Sequence, residues 1–111
     1  SRTWIISKTD TGLSLKHDHR HEDGEPDAVS LYGGDTDAKG SALRQDFPVD
    51  DFSKELFRRE GLDVSVTNTW TVSMVPGQSF TYALNRENRH FVAEMDLTRV
   101  VSTPPPAWGS E

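Results

Sequence analysis

From Val64 to Met74 the chain alternates two kinds of residue. Val64, Val66, Trp70, Val72 and Met74 share one phase, interrupted only by Asn68, while Ser65, Thr67, Thr69, Thr71 and Ser73 fill the other. A period of two belongs to an extended strand, whose successive side chains point to opposite faces. The pattern predicts a half-buried strand with a hydroxyl-rich outer face, or two strands meeting at a kink near Asn68. Pro76-Gly77 supplies a turn, after which Phe80, Tyr82 and Leu84 recur in phase. A second turn at Arg86-Glu87-Asn88-Arg89 leads to another inward row, Phe91, Ala93, Met95 and Leu97. Short turns cannot join parallel strands, so this half predicts an antiparallel meander with Trp70 as a core anchor.

The first half is less regular. Trp4 to Ser7, Leu13 to about His21, Ala28 to Tyr32 and Ala42 to Phe47 read as strands, separated by clusters of Asp, Gly and Pro. One segment breaks the pattern. Asp50 to Gly61 opens on acids, closes on Arg58-Arg59 and ends in glycine, which predicts a short helix burying Phe52 and Leu56 on one face. The fold class expected is all-β, a small antiparallel β-sandwich or barrel with one short helix. Residues 1–103 form its single domain and 104–111 a proline-rich tail, in which Trp108 either packs on the sheet or meets a partner.

Composition narrows the partners. With 18 acidic against 12 basic residues the net charge is −6, which disfavours nucleic acid and anionic lipid. No apolar run approaches the ~20 residues that span a bilayer, so no membrane span is expected. The absence of cysteine excludes disulfides, thiolate catalysis and Cys-based zinc sites. A start at Ser1 with no signal-like segment fits a cleaved leader as well as a chain shortened in some other way. A secreted or periplasmic location is the expectation, and the cytoplasm the alternative.

Candidate chemistry lies in Lys16-His17-Asp18-His19-Arg20-His21-Glu22-Asp23, which holds three of the four histidines. Their alternation continues the phase of Leu13 and Leu15, so an apolar strand face turns into an imidazole face. Neutral imidazole ligates Zn, Ni, Cu or Fe, and a His-x-His pair can offer two nitrogens to one divalent ion. At about 3.3 Å per residue, His17 and His21 are about 13 Å apart, too far to share an ion on a flat strand. The metal set expected is therefore His19 and His21 with Glu25, which Gly24 could fold back towards them, and His17 is the weaker candidate. The competing reading is local charge pairing, because Asp18, Glu22, Asp23, Glu25 and Asp27 crowd the same stretch.

His19-Arg20-His21-Glu22-Asp23-Gly24-Glu25, followed by Ala28-Val29-Ser30-Leu31-Tyr32-Gly33, resembles the first motif of the cupins over residues 12–33. The resemblance implies a metal-bearing β-barrel in which His19, His21 and Glu25 are ligands. Pro76-Gly77-Gln78-Ser79-Phe80 supplies the turn of a second motif without its histidine. Asp35-Thr36-Asp37-Ala38-Lys39-Gly40 has calcium-loop spacing, but Lys39 occupies a ligating position and a solvated turn is expected. The functional expectation is a non-catalytic β-domain that binds a small ligand, a metal ion or a protein partner. The alternative is a metal-dependent, cupin-like enzyme using the His-x-His site.

Overall fold

In the computed structural model, which describes residues 1–110, the alternating segments form seven strands. They are β1 (Arg2–Lys8), β2 (Leu13–His19), β3 (Tyr32–Asp35), β4 (Arg44–Pro48), β5 (Thr69–Val75), β6 (Ser79–Arg86) and β7 (Arg89–Asp96). Every pairing is antiparallel, and the sheets are ordered β1-β2-β3 and β4-β5-β6-β7. The fold is thus mainly β and sandwich-like, with one α-helix, as the alternation implies. The meander is β5-β6-β7, turned at Gly77 and Asn88, both of which adopt positive φ.

The helix α1 (Asp51–Arg59) begins where Asp50 Oδ1 accepts the Ser53 N–H at 2.8 Å, satisfying one of the orphan donors of the first turn. Its buried side chains are Ser53, Leu56 and Phe57. Phe52 departs from the expected face: it is 56% exposed and lies beneath the Lys16 ammonium, 5.0 Å from the ring centroid. Lys16 Nζ also pairs with Asp50 Oδ2 at 2.6 Å and so ties the helix start to β2.

The two sheets meet edge to edge at a pair of glycines. Gly34 pairs with Val49 beyond β4, and Gly33 accepts the Asp50 N–H at 3.0 Å while donating its own N–H to Ser53 Oγ at 2.7 Å. A Cβ on Gly33 would fall on the Leu15 carbonyl, and one on Gly34 on the Pro48 carbonyl, so only glycine permits this approach. On the opposite side β1 and β7 are free edges. There Trp4 leans from β1 across to β6 and stacks on Tyr82, with centroids 4.5 Å apart. The core between the sheets and the helix is Leu15, Phe47, Val49, Leu56, Phe57, Trp70 and Tyr82.

Four of the departures from the expectation have a local reason, while Met74, Phe91 and Leu97 of the expected inward rows are exposed and β2 stops at His19. Val64 and Val66 lie in a 3-10 helix, Asp63–Thr67, and the strand starts only at Thr69. Buried Asn68 marks the kink: its N–H donates to the Ser65 carbonyl and its own carbonyl accepts the Val49 N–H. Ala28 to Leu31 is not a strand, because Asp27 Oδ2 captures the Val29 N–H and Leu31 has φ 61°. Ser41 Oγ similarly accepts the Leu43 and Arg44 N–H groups, delaying β4 to Arg44. Thr71 is buried rather than solvent-facing, and its hydroxyl donates to Asp46 Oδ1 at 2.6 Å.

Trp70 is 1% exposed at the centre of the core. Replacing it with Ala should cost about 3–5 kcal/mol, measured as a shift of the urea unfolding midpoint.

Candidate functional site

The histidine row divides at the end of β2. His17 points into the core and is fully buried. A carbonyl only accepts, so Nδ1–H donates to the Tyr32 carbonyl at 3.0 Å, and Nε2 accepts the Tyr82 hydroxyl at 2.8 Å. The ring also stacks on Tyr32, with centroids 4.4 Å apart. Both nitrogens are thus committed to the fold. Burial lowers the His17 pKa to about 4; the Tyr32 carbonyl opposes this shift, and Arg2 and Lys16 add to it.

His19 ends β2 and His21 lies beyond it. They converge on Asp27: His21 Nε2 donates to Oδ1 at 2.9 Å, and His19 Nδ1 lies 3.9 Å from Oδ2. The His21 bond, with a second bond from the Val29 N–H, holds the Asp27 carboxyl below its usual range. Glu25 is exposed; its carbonyl accepts the His21 N–H, while its own N–H donates to Asp23 Oδ1. The carboxylate drawn to the imidazoles is therefore that of Asp27, and Glu25 meets His21 through backbone only. Among the described residues, no group of three His, Cys, Asp or Glu side chains is placed to hold a metal ion. The fourth histidine, His90, is exposed and bonds Asn85 Oδ1 through Nδ1 at 2.6 Å.

A concavity lined by aromatic rings opens where β1 and β7 begin and β2 and β6 end. One hollow of about 520 Å³ is lined by His19, Asp27, Tyr32, Phe57, Trp70 and Tyr82 among others. A second, of about 490 Å³, runs from it towards Trp4, His17 and Phe91. The two share Arg2, Tyr32, Tyr82, Leu84 and Arg89, so they adjoin. The floor is aromatic. Burial raises the pKa of Tyr32 and of Tyr82, so both hydroxyls stay protonated and neutral. Arg86 completes the rim and donates to Asn68 Oδ1 at 3.0 Å.

Arg2, Arg86, Arg89, Tyr32 and Asp27 of this cleft were not singled out by motif or spacing. One signal was present: Arg86 and Arg89 flank a two-residue turn, which sets like charges opposite each other. Comparisons with protein-family models, with curated proteins and with solved structures find no match to this chain.

Two predictions follow from His17. Its folded pKa lies below the ordinary 6.5, so the unfolded chain binds this proton more readily. The stability it contributes is complete above pH 6.5 and is lost as pH falls through about 4, reaching on the order of 3 kcal/mol. Urea unfolding of wild type and His17→Gln from pH 7 to 4 should isolate this slope, which the variant lacks. Tyr82→Phe leaves Nε2 buried without its donor and should cost about 1–3 kcal/mol at pH 7.

Proposed function

We propose that this chain is a non-catalytic binding domain whose inter-sheet cleft takes a small organic molecule. The observation that carries the reading is that two adjoining hollows share Tyr32 and Tyr82, with Trp70 extending the aromatic floor of the first. Concave, largely apolar sites with a few convergent polar groups are the usual form of a small-molecule pocket. The protonation states favour binding over proton transfer. A general acid or base works best with a pKa near the operating pH, whereas His17 is depressed to about 4 and both tyrosines are raised.

The test is a titration with neutral and charged naphthalene derivatives, followed by amide NMR. Saturable shifts are expected for Tyr32, Trp70, Tyr82 and Arg89. Leu84→Trp, which would fill the shared part of the cleft, should abolish them without lowering the melting temperature. Shifts scattered over the surface, or unchanged in Leu84→Trp, would overturn the reading.

A further inference from the structure

The charge on the rim of the cleft runs against the charge of the whole chain. The protein carries −6 overall, yet three guanidiniums, Arg2, Arg86 and Arg89, line the larger hollow against one carboxylate, Asp27. That carboxylate is already engaged by His21 and the Val29 N–H. Among the described residues Arg2, Arg86 and Arg89 form no ion pair, nor does Arg58 on the helix, whereas Arg20, Arg44, Arg59 and Arg99 do. Their positions are set by the backbone: Arg2 pairs with His19 across β1 and β2, and Arg86 with Arg89 across β6 and β7.

Placing like charges directly opposite on paired strands is destabilising unless something offsets it. An acid at either position would relieve the repulsion, and the chain has acids in excess. Arg2 also lies beside the Tyr32 hydroxyl, at the junction of the two hollows. Its donors therefore reach the point where the aromatic floor meets the charged rim.

We propose that the cleft selects an anionic ligand, a small organic acid with a flat apolar body lying on the Tyr32, Trp70 and Tyr82 floor. Arg2 and Arg89 hold its carboxylate or phosphate head, and Arg86, braced by Asn68, adds charge from behind. Guanidinium suits this task because its planar fork of donors matches an oxyanion edge, and low-dielectric walls strengthen the attraction relative to water. The inference rests on the binding reading above and adds the class of ligand to it.

The experiment compares naphthalene-2-carboxylate with naphthalene-2-carboxamide, which have the same shape but different charge. Dissociation constants come from amide NMR on wild type, on Arg2→Gln/Arg89→Gln, and on Arg58→Gln as a surface control. In wild type the acid should bind about tenfold more tightly than the amide, the effect of one charge-assisted hydrogen bond. That preference should weaken with added salt, vanish in the double variant and survive in the control. Arg2 and Arg89 are both exposed, so their replacement leaves the core untouched. Equal binding of acid and amide in the cleft would overturn the anion inference and leave the binding reading standing. A preference that persists in the double variant would overturn the roles of Arg2 and Arg89. Binding of neither probe would overturn both readings.

Discussion

The bond between His17 Nε2 and the Tyr82 hydroxyl is the interaction on which the rest of the structure depends, because it joins the two sheets through their buried faces. An imidazole in an apolar core is costly unless both of its nitrogens are satisfied. Tyr82 satisfies one from β6 and the Tyr32 carbonyl satisfies the other from β3. Meeting that requirement aligns three strands and stacks Tyr32 on His17, with Trp70 tilted against it. Tyr82 is therefore a core residue and a wall of the cleft at once, with Trp4 packed on its outer side.

The glycine pair determines which side of the sandwich closes. Gly33 and Gly34 allow the backbone after β4 to lie directly against β3, and the helix start is then bonded to the same strand through Asp50 and Ser53. With one side joined this closely, the other ends in the free edges β1 and β7. The cleft occupies that open side. Its shape thus follows from a backbone approach on the far side of the core, and its rings are held by the same packing that stabilises the fold.

Net charge describes the surface as a whole and misses local arrangement. Several acids here pair with arginines or accept backbone N–H groups, as Asp18, Asp23, Asp27 and Asp96 do. Arg2, Arg86 and Arg89 come from strand ends that converge only in the folded chain. Three guanidiniums gathered at one cleft of an acidic protein concentrate the field there, a local feature that the total charge does not reveal.

Alternation determined most of the strands, because a strand half in the core must repeat every two residues, and the acids, arginines and glycine around 50–61 determined the helix by the end effects that every helix feels. The same signal failed at Val64 and Val66, whose apolar phase is overridden by buried Asn68, and at Ala28 to Leu31, where the Asp27 side chain competes for the backbone. The histidines were legible as a cluster but not as separate residues. Periodicity could place His17 on the inner face, but only the position of Tyr82, 65 residues away, decided that it is a buried, neutral link between sheets. The meeting of His19 and His21 at Asp27, and of three arginines over one aromatic floor, was likewise decided by tertiary structure. Local sequence determines which way a side chain points from its own strand, whereas a site depends on which strand ends the packing of the sheets brings together.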